Sequence, residues 1–305
     1  MARHPVQGDD SGPGPEPAPP DSSPGPPAEN ATILTPTMGY LASGYTHTLN
    51  AYRGCAFAGG LCGQYCYAQH NRWITKGRAW GFYGAKGRVV EAYRRDFDRI
   101  RRPSRGGPRP LRIYMSSSTD PYIPQEKTMR ITRALLEAMI ERTPDVLVIQ
   151  SHHTMVLRDL DPIAELSARG RVRLSLTVET DMDRVPGFPP HASPPLRRLE
   201  VLGAFRRRGI PTQATLSPLL PIADLPAFAR RLDAACDRVI LDHYLIGDGS
   251  PGGWRTRRTG FPGRLAEAGF AEWNEMSKFE EVCAALAEVL GPGRVLVGCA
   301  GFNAV

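Results

Sequence analysis

The chain has 305 residues, of which 41% are hydrophobic and 23% charged, and 38 Lys+Arg against 31 Asp+Glu give a formal net charge of +7. These values suit a soluble globular protein with one large α/β domain or two small ones. No run approaches the roughly 18 apolar residues of a membrane span, and the start of the chain lacks the apolar core of a secretory signal, so a cytoplasmic protein is expected.

Residues 1–35 are rich in Pro, Gly, Ser and Asp and carry few apolar side chains, which predicts a disordered leader before one domain over 36–305. Within that domain β-rich runs alternate with helical patterns. Strands are predicted at 111–115, 146–150, 172–178, 211–216, 239–241 and 295–297, and helices at 124–142, 157–169, 196–208, 225–235 and 278–290. Such alternation implies parallel strands joined by helical crossovers. About six or seven such units fit, too few for an eight-unit barrel. The expected fold is a partial, open (β/α)6-type barrel. Residues 247–273, with their Gly, Arg and Trp, interrupt the pattern and read as a substrate loop.

Six cysteines in such a chain do not make a disulfide framework. Cys236, Cys283 and Cys299 are isolated among apolar residues and read as small buried hydrophobes. Cys55, Cys62 and Cys66 instead crowd a Gly-rich loop, Arg53-Gly-Cys55-Ala-Phe-Ala-Gly-Gly-Leu-Cys62-Gly-Gln-Tyr-Cys66. Thiolates are the preferred ligands of iron–sulfur clusters, and three rather than four leave one iron open to another ligand. The competing reading is a zinc site in a nucleic-acid-binding protein, with His70 as fourth ligand four residues after Cys66.

The cysteine stretch resembles the radical S-adenosylmethionine superfamily, in its spore photoproduct lyase-like branch. The residues that carry the resemblance are Tyr52-Arg53-Gly54-Cys55, Tyr65-Cys66-Tyr67-Ala68, Ser116-Ser-Ser-Thr-Asp-Pro121-Tyr122, Leu157-Arg-Asp-Leu-Asp161, and Ser175-Leu-Thr177 with Glu179. Two departures stand out. Six residues separate Cys55 from Cys62 and three separate Cys62 from Cys66, against three and two in the family. Gln150 stands at a strand end where the family often has lysine. The lyases themselves carry a hydrogen-donating cysteine just before the Ser/Thr-Asp segment, where this chain has Met115 and Ser116.

The resemblance implies a 4Fe–4S cluster on Cys55, Cys62 and Cys66, S-adenosylmethionine on its open iron, and hydrogen abstraction by a 5′-deoxyadenosyl radical from an undetermined substrate. It also implies a reducing partner of the flavodoxin or ferredoxin type. Cofactor contacts are expected at strand ends, from Ser117 and Ser118 after one strand and from Ser175 and Glu179 on another. The plainer readings are a helix cap and turn for 116–120 and a surface acid for Glu179. Arg255, Arg257, Arg258 and Arg264, with Trp254 and Trp273, either contact a nucleic acid or anchor their loop.

Overall fold

The structure is a computed structural model that describes residues 32–102, 106–248 and 250–305, with the backbone of 28–29. In chain order the strands are β1 (Ala28–Glu29), β2 (Leu34–Pro36), β3 (His47–Leu49), β4 (Tyr52–Gly54), β5 (Tyr83–Gly87), β6 (Arg112–Met115), β7 (Val146–Ser151), β8 (Arg171–Thr177), β9 (Thr212–Leu216), β10 (Arg238–Leu241) and β11 (Val295–Val297). The helices are α1 (Leu61–Tyr65), α2 (Arg72–Thr75), α3 (Val89–Ile100), α4 (Glu126–Met129), α5 (Ile131–Glu141), α6 (Leu160–Arg169), α7 (Pro195–Arg207), α8 (Leu225–Ala235), α9 (Trp254–Arg257), α10 (Phe261–Glu267), α11 (Met276–Leu290) and α12 (Gly298–Asn303). None of these is long and apolar enough to cross a membrane.

The main sheet has eight strands in the order β11-β10-β9-β8-β7-β6-β3-β2. All neighbours pair in parallel except β2 with β3. The α/β class and the parallel sheet expected from the sequence are thus present. Alternation along the central strands sorts side chains to two unlike faces. Ile113, Met115, Leu147, Ile149, Leu174, Leu176, Ala214, Leu216 and Leu241 join the large core shared with the helices. The intervening Tyr114, Val146, Val148 and Ile240 join a second, small cluster with Tyr45 and Phe302. The remaining residues of that second face are mostly polar, and they surround the site.

Local chemistry sets the boundaries. Asp224 caps α8 by accepting from the Ala227 amide at 2.9 Å, ahead of Pro226 in the first turn. The single helix expected over 124–142 is instead two. Arg130 adopts φ +51°, and the buried Glu126 carboxylate accepts from the Thr132 amide at 3.0 Å, capping α5. Glu126 also pairs with Arg158 at 2.7 Å and accepts from the Tyr52 hydroxyl. The segments around Tyr52 and around Arg158 therefore meet on one buried acid. Gly54 is required beside them: its φ is +64°, and a Cβ there would lie 2.0 Å from the Phe82 carbonyl oxygen.

The leader expectation needs correction at its end. Residues 1–27, 30 and 31 lie outside the described residues, but Leu34–Pro36 form a strand paired antiparallel with β3. The cause is remote in sequence. Buried Asp96 on α3 accepts from the Thr32 hydroxyl at 2.5 Å, the Ile33 amide at 2.7 Å and the Leu34 amide at 3.0 Å. Burial alone would raise the pKa of Asp96, but these hydrogen bonds outweigh it and the pKa is lowered. Asp96→Ala is expected to cost about 1–3 kcal/mol at neutral pH by stripping buried amides of their acceptor. Because the folded-state pKa is depressed, that advantage of the native chain shrinks as pH falls below about 4, which denaturant titrations at several pH values will check.

Candidate functional site

One cleft is lined by residues of the cysteine loop, of the 116–120 segment and of the end of β8. It holds about 1020 Å³ of empty space, part of it open to solvent, and Cys55, Cys62 and Cys66 all line it. Tyr52–Gly54 leads the chain into the first thiol, and α1 carries it from Cys62 towards Cys66. Opposite them the strand-end segment after β6 contributes Ser116, Ser117, Ser118, Thr119 and Asp120. Asn50, just after β3, holds this segment: its Oδ1 accepts from the Ser118 and Thr119 amides at 3.0 and 3.3 Å, and its Nδ2 donates to Ser117 Oγ at 3.1 Å. Ser116 sits at φ +77°, a left-handed conformation that costs a non-glycine residue energy and marks a position held by its surroundings. Asn50 went unnoticed as a site residue because a lone Asn carries no spacing signal.

Cys55 and Cys62 are poorly disposed to ionise without a positive charge. Burial, with Cys62 adjacent, pushes the Cys55 thiol up to about 12. Hydrogen bonding with Cys66, followed by burial, raises Cys62 well above its usual value. The group nearest to compensating is His152, whose Nε2 lies 3.7 Å from Cys62 Sγ. Burial disfavours charge on His152, but Cys62, Asp120 and Glu179 outweigh it and raise its pKa well above the ordinary histidine value. Asp120 fixes this histidine: its carboxylate accepts from the His152 amide at 2.7 Å and stands 3.4 Å from Nδ1. In the sequence nothing favours His152 over its neighbour His153. Only the strand end shows that His152 reaches the thiols, while His153 Nδ1 accepts from the Met155 amide at 2.9 Å.

The other residues expected at the site divide. Ser117 and Ser118 line the cleft. Ser175 does not; it is fully buried, donates to Gln150 Oε1 at 2.5 Å and accepts from Gln213 Nε2 at 2.8 Å. Thr177, two residues on and on the same face, is the one exposed to the cleft. Gln150 is saturated: its Nε2 donates to Thr177 and Thr215, and its Oε1 accepts from Ser175 and Tyr114. The polar residue that β7 sends to the thiols is therefore His152.

Glu179 is no surface acid. It is 1% exposed, 2.7 Å from Arg198 Nη1, and it accepts from the Tyr65 hydroxyl at 2.6 Å. Burial would raise its pKa, but Arg198, His152 and His191 overcome that and hold it at about 2. Arg198 spends its remaining donors on the carbonyls of Ser193 and Thr177. Glu179 thus braces the cysteine loop through Tyr65.

His70 is not among the residues that line the cleft. After burial, the influence on its ring is Arg258, not a thiol. Among the described residues no group of three His, Cys, Asp or Glu side chains is arranged to hold a single metal ion. Of the isolated cysteines, Cys236 is buried as expected, Cys283 is half-buried, and Cys299 is exposed, contrary to the expectation of a buried hydrophobe.

The segment after β10 folds into α9 and α10 with short 3-10 turns, not into an open loop. Of its arginines, Arg264 ties it to the cysteine loop, while Arg255 and Arg257 bond within the segment. Arg255 bonds the Asp248 carbonyl, Arg257 the Gly252 carbonyl, and Arg264 the Gln64 carbonyl of the cysteine loop. Arg258 lies over the Trp254 ring, and Trp273 is buried. The carboxylate at this end of the cleft is Asp242, after β10, which accepts from the Tyr40 hydroxyl at 2.8 Å. Burial raises its pKa to about 6.

No family model matches the chain, and no solved structure does. An uncharacterized protein of Methanocaldococcus jannaschii is 30% identical over 179 residues, covering 58% of this chain and 62% of that protein. An uncharacterized protein of Acidianus two-tailed virus is 28% identical over 145 residues, covering 47% and 44%. The chain thus spans less than two thirds of the length of either relative.

Two stability measurements follow. Arg198→Met leaves Glu179 charged and buried without its partner, and is expected to cost about 3–5 kcal/mol in denaturant unfolding. Asp242 behaves oppositely. Its folded-state pKa lies above the unfolded value, so the native chain retains a proton that the unfolded chain releases, and stability contributed here falls as pH rises from about 4 to 6. Asp242→Asn is therefore expected to gain about 1–3 kcal/mol at pH 8 and nothing at pH 4, read as a pH-dependent difference in unfolding midpoint.

Proposed function

We propose that the chain is a radical S-adenosylmethionine enzyme with one 4Fe–4S cluster on Cys55, Cys62 and Cys66. The observation that carries the reading is that these three thiols, and no other cysteine of the described residues, line the cleft that also receives the strand-end polar segment 116–120. The donor set fits the cluster chemically. Burial and neighbouring thiols oppose ionisation of Cys55 and Cys62, and a multivalent cation bound by sulfur would favour their thiolates. Three ligands also leave one iron free for a further ligand.

When bound, the cluster and S-adenosylmethionine supply the electron transfer and bond cleavage that yield a deoxyadenosyl radical for hydrogen abstraction. The chain's own groups bind and orient. The hydroxyls of Ser117, Ser118 and Thr177 offer hydrogen bonds from the strand ends. His152, held by Asp120, offers Nε2 to the Cys62 sulfur. Glu179 acts on the cluster loop through Tyr65. The reading implies a reducing partner of the flavodoxin or ferredoxin type.

A partial β/α barrel is part of the same reading. Tyr114 of β6 and Ile240 of β10 belong to one packed cluster although three strands separate them in the sheet. In a flat sheet they would be about 19 Å apart, so their packing together favours a sheet curled around that cluster. For the zinc alternative, His70 does not line the cleft that the three cysteines share.

The test is anaerobic reconstitution, with iron, sulfide and 5′-deoxyadenosine quantified after reduction in the presence of S-adenosylmethionine. About four irons per chain with deoxyadenosine formed, both lost in Cys62→Ala, is the expected result. Zinc without sulfide overturns the reading.

A further inference from the structure

The far end of the cleft has a charge pattern that the cofactor reading leaves unused. Asp242 is 3% exposed and lines the cleft. Its carboxylate accepts from the Tyr40 hydroxyl, and the other charge that bears on it is a second acid, Asp248. None of its neighbours supplies a positive charge: it makes no ion pair among the described residues, and no Lys or Arg lines the cleft. The loop arginines are spent on backbone carbonyls or on Trp254. Asp248 is itself committed, since its oxygens accept from the Ser250 amide at 2.7 Å, the Ser250 hydroxyl at 2.5 Å and the Thr256 amide at 2.8 Å. Asp242 is held more lightly, by the Tyr40 hydroxyl and the His243 backbone amide.

The fold protects this arrangement. Gly247 packs directly against the acid, and a Cβ there would fall 1.9 Å from Asp242 Oδ2. Tyr40 is held in turn by Asn303 of α12, whose Nδ2 donates to the Tyr40 carbonyl at 2.6 Å. The cleft that Asp242 lines also carries flat or apolar side chains: Tyr67, Trp80, Tyr114, Pro218 and Phe302. A buried, uncompensated carboxylate among aromatic walls repels anions and gains most from a cation that brings its own apolar body.

We propose that the molecule processed in this cleft is a small amine, which sets a protonated nitrogen against Asp242 and an aromatic or similarly flat group against Tyr67, Tyr114 and Phe302. The assignment rests on reading the cleft as the reaction chamber. It excludes phosphate-bearing molecules from the Asp242 end.

The test is calorimetric binding to the full-length reconstituted protein with three probes of one size: 2-phenylethylamine, 2-phenylethanol and 3-phenylpropionate. The amine is expected to bind most tightly and the carboxylate not at all. Asp242→Asn is expected to weaken the amine about tenfold or more, as removal of one member of a buried charge pair does, while leaving the alcohol unchanged. Tyr40→Phe removes the hydroxyl and keeps the carboxylate, so it serves as the second variant and is expected to retain or tighten amine binding. Equal binding of amine and carboxylate, amine affinity indifferent to Asp242→Asn, loss of the amine in folded Tyr40→Phe, or no binding of any probe overturns the proposal. Iron, sulfide and deoxyadenosine are measured on the same preparations. Amine preference in a chain that takes up no cluster overturns the radical reading alone, and a loaded, cofactor-cleaving chain without that preference overturns the amine assignment alone.

Discussion

The site depends on a charge pair that water barely reaches. Arg198 of α7 and Glu179 beyond β8 are each 1% exposed and stand 2.7 Å apart. Taking two such charges out of water is costly, and the attraction between them repays it only when the remaining donors and acceptors are also satisfied. Here they are. Arg198 meets two carbonyls besides the acid, and the acid takes the Tyr65 hydroxyl. Tyr65 precedes Cys66 directly, so the pair ties a helix, a strand end and the cysteine loop into one unit. Phe57, Leu61 and Tyr65 bury the loop's apolar surface in the main core, and the ion pair adds a polar tether at the residue next to Cys66.

The sheet divides its labour by face. The apolar face carries the burial that holds the helices, and it leaves the opposite face free to be polar. There Gln150, Ser175, Thr177, Gln213 and Thr215 bond to one another and reach Arg238 through Gln213. Every donor and acceptor of the Gln150 amide is used, which is the condition under which a buried polar network rigidifies rather than weakens its surroundings. The rigid floor lets Thr177 and Thr215 present hydroxyls to the cleft at fixed positions.

Central elements were legible in the sequence because their signals are local. The strand expected at 295–297 and the helix at 225–235 match β11 and α8, and the strands at 146–150 and 211–216 match β7 and β9 to within a residue. The three-residue strand β2 was not legible, since its start is held by Asp96 more than sixty residues away. The break at Arg130 was hidden for the same reason: it serves Glu126, whose partners Arg158 and Tyr52 are remote. At the site, crowding made the cysteines visible. Alternation put Ser175 on the correct face, but depth along that face, which separates Ser175 from Thr177, has no periodic signature. Glu179 was found without Arg198, because ion pairs between a strand end and a helix leave no fixed spacing.

The electrostatics of the cleft bring these parts together. Three thiols, the buried carboxylates of Asp120 and Asp242, and Glu179 behind Tyr65 concentrate potential negative charge, while the cleft walls carry no Lys or Arg. Asp120 and Glu179 remain ionised because hydrogen bonds, His152 and Arg198 compensate them. Cys55 and Asp242 lack a compensating cation, and burial pushes both towards their neutral forms. Such a chamber gains from whatever cations enter it. Under the proposed function those are of three kinds: the iron that ionises the thiols, the sulfonium of S-adenosylmethionine, and a substrate nitrogen at Asp242. A phosphate-rich partner would meet repulsion in the interior, whatever the +7 net charge does at the surface.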